Sequence, residues 1–348
     1  MVIPWARFSP AIQQPRRILG LLADVRSGTI PRYLFAVVVA LATSGYVAAQ
    51  VGVNEVHVLP RAMPAPFAPT QHVLRTNVDL VLVNVTVLDH AGRTVTGLEP
   101  TNFAVLDDKD PQVVRYLSSV DEPISLVVVL DASASMASKL QQARKAFTEL
   151  VNTSNPQDDF GLIIIGDQPR VALHFDDSAT DIQRVADALQ PDGATALWDG
   201  MYLGIKELKS SPYQRKAMVV ISDGGDNHSR YTESELRSLL KESDVAVYAI
   251  GLFDRYATRL EEKKGPLQLD EVTAVTEGRV FSAHDSVEVS RAVTQISHEL
   301  RNQYVLGYYP SHRSGDGRWH RLKVHLAGSA PQATYRLYAR KGYYAPAE

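Results

Sequence analysis

Six short apolar runs recur between residues 125 and 282, and amphipathic stretches separate them. The runs are "SLVVVL" (125–130), "FGLIII" (160–165), "RVALHF" (170–175), "AMVVIS" (217–222), "VAVYAIG" (245–251) and "RVFS" (279–282). Most are continuous rather than alternating and rich in Val and Ile, which predicts strands buried on both faces. Leu140, Ala143, Phe147 and Leu150 repeat at helical spacing, with Ser138 and Gln141 expected as a capping box. Leu197, Met201, Ile205 and Leu208 make a second stripe. Leu236, Leu239 and Leu240 make a third, opened by Thr232 and Glu235. A last helix over 286–303 buries Val289, Val293, Ile296 and Leu300. Apolar strands alternating with amphipathic helices predict an α/β, doubly wound, mostly parallel sheet covered on both faces.

The pattern changes on either side. "VDLVLVNVTVLD" (78–89) reads as a strand that ends at the turn "DHAG" and resumes at "RTVTG". "FAVLDDKDPQVVRYL" (103–117) reads as a hairpin around an Asp/Lys/Pro turn. After Gln303, "YVLGYY" (304–309), "WHRLKVHL" (319–326) and "TYRLYARKGYY" (334–344) again read as strands. A β-rich segment over 76–122 and another over 301–348 therefore bracket an α/β domain over 123–300. The two flanks are expected to pair into one small β module, with the α/β domain inserted into it.

The start of the chain has another character. Residues 1–49 hold five arginines, one aspartate and no lysine, and lead into "YLFAVVVALA" (33–42) and the small-residue end "YVAA". A positive flank, a short apolar segment and a small-residue terminus are the parts of an export signal, with cleavage after Ala49. The apolar run is short for a membrane span, which wants about 20 residues. An uncleaved anchor and a buried core element are the alternatives. Residues 50–75, rich in Pro and Ala, read as a linker. Without the leader the formal charge moves from −3 to −7, because five arginines and one aspartate leave with it. An acidic chain without a basic cluster is a poor match for nucleic acid. The chain has no cysteine, which excludes disulfides, thiol nucleophiles and cysteine–zinc sites.

The candidate chemistry lies where the buried strands end. In "VVVLDASASM", Asp131 closes the first parallel strand, and Ser133 and Ser135 follow at every second position. An extended loop would put these three oxygens on one side of the chain. "PDGATALWDG" (191–200) carries Thr195 just before a helix, and "VVISDGGDN" (219–227) carries Asp223 at the end of another strand. Ligands of open α/β sheets bind in this crevice. An oxygen-only set with few formal charges suits a hard divalent ion such as Mg²⁺, with Mn²⁺ as an alternative.

D-x-S-x-S, a downstream Thr and an Asp followed by Gly resemble the metal-ion-dependent adhesion site of von Willebrand factor type A domains. The resemblance runs over roughly residues 123–300. It implies a Rossmann-like sheet holding Mg²⁺ through Ser133, Ser135 and Thr195, with Asp131 and Asp223 acting through water. It also implies a protein partner whose acidic side chain takes the open coordination position. The flanks "VLVNVTVLDHAGRTVTGLEPTNFAVLDDKDPQ" and "ELRNQYVLGYYP…RKGYYAP" resemble a group of exported bacterial proteins that carry this domain between β segments.

A non-enzymatic, exported protein-binding module is the leading expectation, with no small-molecule substrate and with membrane contact only through an uncleaved leader. A metal-dependent hydrolase is the alternative from a different class. An Asp at a strand end suits phosphoryl transfer of the haloacid-dehalogenase kind, but that chemistry needs an acid where Ser133 stands. No G-x-S-x-G elbow or H-E-x-x-H pair is present. A subunit serving a chelatase-type ATPase, and a structural domain without metal, are further alternatives. Asp199 and Asp226 read as solvated charges and His228 as a surface residue. Tyr308, Tyr309, Tyr343 and Tyr344 read as β-core and edge packing.

Overall fold

The computed structural model describes residues 80–119, 121–177, 179–254, 260–311, 316–327 and 335–345. The leader and linker expected over 1–75 lie outside the described residues. No described helix is long and apolar enough to cross a membrane.

Four strands come first: β1 (Val81–Leu88), β2 (Phe103–Asp107), β3 (Asp110–Gln112) and β4 (Val114–Ser118). The α/β region then supplies β5 (Ile124–Asp131), α1 (Leu140–Thr153), β6 (Asp159–Ile165), β7 (Arg170–Leu173), α2 (Ala179–Ala188) and α3 (Leu197–Lys209). It continues with β8 (Arg215–Ser222), α4 (Glu233–Glu242), β9 (Val245–Leu252), α5 (Leu260–Thr273), β10 (Val280–Ala283) and α6 (Ser286–Arg301). The chain closes with β11 (Tyr304–Tyr308), β12 (Trp319–Leu326), β13 (Arg336–Ala339) and β14 (Gly342–Tyr344).

The central sheet has the order β10-β9-β8-β5-β6-β7. All its pairings are parallel except β6 with β7. All eight residues of β5 are buried, because helices cover both faces. The period-two alternation of the strands sorts their side chains. Leu126, Val128, Leu130, Leu162 and Ile164 pack under α1, α2 and α6, whereas Val127, Val129, Ile163 and Ile165 pack under α3, α4 and α5.

The flanks interleave. β1 pairs with β11 and with β13, and β2 pairs with β12, all antiparallel. Two four-stranded sheets result, β13-β1-β11-β4 and β14-β12-β2-β3. Their shared core contains Val81, Val83, Val85, Val87, Phe103, Val105, Tyr304 and Leu306. β4 enters the α/β region and β11 leaves it, and these two are hydrogen-bonded neighbours (Val305 opposite Ser118). Adjacent entry and exit strands are what an inserted domain requires.

Several local expectations change. "RTVTG" contributes only an isolated bridge from Thr94 to Leu88. "TYRLYARKGYY" splits into β13 and β14, which belong to different sheets. The capping box of Ser138 and Gln141 does not form: α1 starts at Leu140, and its N-cap, Lys139, makes no side-chain cap bond. Tight turns deliver the chain into α1 instead, with Lys139 N donating to Met136 O at 2.8 Å. The Thr232–Glu235 capping box does form. Two helices, α2 and α5, have no counterpart among the predicted elements. In α5 the cause is plain, since Gly265-Pro266 in mid-helix is a poor local signal.

Candidate metal centre

The parallel neighbours β5 and β8 are followed by α1 and α4, which pack on opposite faces of the sheet. That divergence opens a crevice beyond their carboxyl ends. Asp131 ends β5 on one side, and Asp223 follows β8 on the other.

Asp131 is fully buried. Its Oδ1 accepts from Ser133 N at 2.9 Å, and its Oδ2 accepts from the Ser222 hydroxyl at 2.6 Å. Burial pushes the carboxyl up to about 6; bonds from Ser133 and Ser222 oppose this, and the neighbouring Asp223 charge adds to it. The Ser133 and Ser135 hydroxyls lie 3.1 Å apart. The extended loop expected through both serines holds only at Ser133. From Ala134 to Met136 the chain is a 3-10 turn, and this turn carries Ser135 back towards Ser133.

The Thr195 loop is tied to its neighbours on two sides. Asp192 N donates to Ala132 O (2.9 Å), and Ala134 N donates to Gly193 O (3.0 Å). Thr195 N donates to Asn227 Oδ1 at 2.9 Å, and Thr195 O accepts from Asn227 N and His228 N, each at 3.1 Å. Thr195 and Asp223 are both nearly inaccessible. Direct side-chain contacts thus join Ser133 to Ser135. Asp131 and Asp223 share one electrostatic environment, and Thr195 joins through backbone bonds.

Sequence reasoning missed three contributors. Ser222 donates to Asp131 and accepts from Gly224 N at 2.9 Å, so its hydroxyl links the two acidic loops. A hydroxyl beside Asp223 at the end of an apolar strand was the available signal. Lys139 Nζ lies 3.3 Å from Asp223 Oδ2 across 84 residues of sequence, and nothing local announces it. Gly265 of α5 packs against Asp223 and Gly224: a Cβ on Gly265 would meet Asp223 O at 2.3 Å, and Gly224 has φ +80. Only two glycines permit this approach. A cleft of ≈ 290 Å³ opens beside Lys139, lined also by Gln142, Phe253, Asp254 and His284.

Asp199 and Asp226 are not solvated charges. Asp226 Oδ1 accepts from Leu197 N at 2.8 Å and so caps α3, and burial raises its pKa. Asp199 is buried, and its Oδ1 accepts from Arg230 N (2.9 Å) and Tyr231 N (3.0 Å). Backbone donors needed acceptors on both sides: Asp199 serves the loop after Asp223, and Asp226 serves the first turn of α3. His228 is exposed. Tyr308 and Tyr343 lie in the β core, while Tyr309 and Tyr344 are exposed.

The donor set fits a hard divalent ion. Ser133, Ser135 and Thr195 would hold it, with Asp131 and Asp223 behind them, and the Lys139 ammonium already occupies a cation's place beside Asp223. Lys139→Met should therefore raise Mg²⁺ affinity about fivefold, since a partly buried ion pair of this kind is worth about 1 kcal/mol. Isothermal titration of both proteins checks it, and unchanged affinity would show that the ammonium does not compete.

A family model described as the von Willebrand factor type A domain matches residues 126–225, a span that includes all five candidate ligands. The chain carries a von Willebrand factor type A domain. Similar solved structures include an aerotolerance-related membrane protein from Bacteroides fragilis, with 19% identity, a TM-score of 0.42, and coverage of 51% of this chain and 98% of that one. The PilB minor pilin from Streptococcus sanguinis matches with 15% identity, TM-score 0.43, and coverage of 53% and 63%. A von Willebrand factor type A structure from Catenulispora acidiphila matches with 12% identity, TM-score 0.46, and coverage of 78% and 75%. In this type A domain Ser133 and Ser135 lie side by side past β5, and the Thr195 loop is bonded to the loop after Asp223 through Asn227 and His228.

Proposed function

We propose that this chain is an exported protein-binding module, whose type A domain holds Mg²⁺ and offers its open position to a partner's acidic side chain. The observation that carries the proposal is the pair of serine hydroxyls 3.1 Å apart next to a buried, doubly bonded Asp131. Neutral hydroxyls in direct contact leave the ion electrophilic towards an incoming carboxylate. Mn²⁺ would satisfy the same oxygens. The reading is non-enzymatic: the set consists of oxygen ligands suited to holding an ion, and the sequence has neither a G-x-S-x-G elbow nor an H-E-x-x-H pair. The Arg-rich, apolar leader supports action outside the cytoplasm.

The test uses the full chain immobilised against cell-envelope extract. Partners captured in Mg²⁺ should elute with EDTA and should be missing from an Asp131→Ala column. Equal, chelator-insensitive capture by both proteins would overturn the proposal.

A further inference from the structure

We propose a second metal site in the β-sandwich, formed by Asp107, Asp108 and His320 and suited to a borderline divalent ion such as Zn²⁺. It is independent of the crevice above β5 and β8. Asp107 ends β2, Asp108 begins the β2–β3 turn, and His320 lies on β12 beside them. One ligand atom from each residue lies within 4.8 Å of the others.

Each donor is held so that one atom faces the common point. Asp107 is buried, with 6% of its surface exposed. Its Oδ2 accepts from the Tyr308 hydroxyl at 2.8 Å and the Tyr343 hydroxyl at 3.0 Å. Burial and the Asp107 carboxylate push both phenols well above their ordinary range, so both stay protonated donors. Asp107 Oδ1, by contrast, is buried and has no hydrogen-bond partner. An orphaned carboxylate oxygen in a protein interior is costly unless something cationic meets it.

Asp108 stands in the left-handed region (φ 49), where Arg321 N donates to its Oδ1 at 2.8 Å. That bond turns Oδ2 towards His320 Nδ1, 2.8 Å away. The same Nδ1 lies 3.8 Å from the orphaned Asp107 Oδ1. Ligands at about 2.0–2.2 Å from a tetrahedral Zn²⁺ sit about 3.3–3.6 Å from one another, between these two separations. The other ring nitrogen, Nε2, lies 3.1 Å from Asp316 Oδ1. A carboxylate there accepts a hydrogen bond from Nε2–H, and in that tautomer the Nδ1 lone pair is left for the metal, the usual support for a ligating histidine. The imidazole also stacks on Tyr343 (centroids 5.3 Å apart, 23° between planes), which fixes its plane.

Charge points the same way. Three carboxylates surround one imidazole, so the cluster is negative even with the ring protonated. Two oxygens and one nitrogen match Zn²⁺ better than Mg²⁺, and the half-exposed side of Asp108 leaves room for water as a fourth ligand. A bound ion would pin the β2–β3 turn to β12.

The experiment uses the full chain carrying Asp131→Ala, which removes the type A site. Titrated with Zn²⁺, this protein should bind one equivalent and melt at a higher temperature, and Mg²⁺ in excess should not compete. Adding His320→Ala or Asp108→Asn should weaken Zn²⁺ binding more than tenfold. Asp108→Asn keeps the acceptor for Arg321 N and serves as the variant least disruptive to folding. Co²⁺ should give the intense visible bands of a four-coordinate site, lost with His320→Ala. Zn²⁺ affinity and Co²⁺ spectra unchanged by both substitutions would overturn the proposal, as would no binding by the Asp131→Ala protein.

Discussion

Metal-free protein should lose on the order of 3 kcal/mol of stability as pH rises from about 4 to about 7, and Mg²⁺ should return it. The source is Asp131, whose carboxyl is raised from 3.8 to about 6 by burial, with Asp223 adding to the shift. A raised carboxyl pKa means that the folded chain holds the proton more tightly than the unfolded chain. The favourable contribution is therefore complete below the unfolded value of 3.8 and disappears as pH climbs through about 6. About two pKa units at 1.36 kcal/mol each set the size. A cation above the carboxylate reverses this cost, so Mg²⁺ should raise the melting temperature strongly near neutrality and hardly at all near pH 4.

Burial also raises the carboxyls of Asp158, Asp226, Glu277 and Glu299, and these add slope of the same sign. The informative quantity is thus the difference between wild type and Asp131→Asn. Urea unfolding across the pH range should show the variant losing on the order of 3 kcal/mol less. Its Mg²⁺ affinity should fall at least a hundredfold. Parallel pH profiles for the two proteins would show that Asp131 is not the titrating group.

Glu299→Ala should cost about 3–5 kcal/mol. Glu299 lies on the last turn of α6 with 1% of its surface exposed. Arg279 Nε donates to its Oε1 at 3.1 Å, and Arg279 Nη2 makes a second bond. The same guanidinium lies 4.1 Å from the ring centroid of Phe281 and 5.4 Å from that of Tyr338, on β13. It thereby links the α/β region to the sandwich. Burial outweighs Arg279 and leaves the Glu299 carboxyl above its usual pKa, so the pair is retained against a real desolvation cost. Removing the carboxylate strands a mostly buried cation.

A melting point lower by about 10 °C follows for a unit of this size, read by scanning fluorimetry. Glu299→Gln keeps an acceptor and should lose about half as much. Arg279 precedes β10 at the amino end of the parallel strands, opposite the crevice. Mg²⁺ affinity should therefore stay within about twofold of wild type. A loss below about 1 kcal/mol for the Ala variant would show that this contact does not hold the two regions together.

The order of strands and helices was legible because burial on both faces leaves a strong local trace. β5 reads as an apolar run from Leu126 to Leu130 since every one of its residues is buried, and β9 is likewise buried throughout. β1 was legible as a β-branched run; Val81, Val83, Val85 and Val87 face the sandwich core, and Thr86 and Leu88 on its other face are buried too. Asp131 and Asp223 were conspicuous as carboxylates at the ends of such runs. α5 left no such trace, because Gly265 serves a contact with the Asp223 loop rather than a local preference, and Pro266 follows it in mid-helix. Asp199 and Asp226 misled for the same reason: their acceptor roles depend on backbone donors about 30 residues away.

By itself, then, the sequence determined the alternation of buried strands and amphipathic helices and the carboxylates Asp131 and Asp223 at the ends of two of those strands. Those follow from period, burial and spacing, which neighbouring residues express without help. Only the tertiary structure decided which groups meet across distance: Ser222 on Asp131, Lys139 on Asp223, Gly265 under Gly224, and His320 beside Asp107 and Asp108. Electrostatic and steric contacts of that kind belong to pairs of loops rather than to any one segment, so no local pattern can carry them.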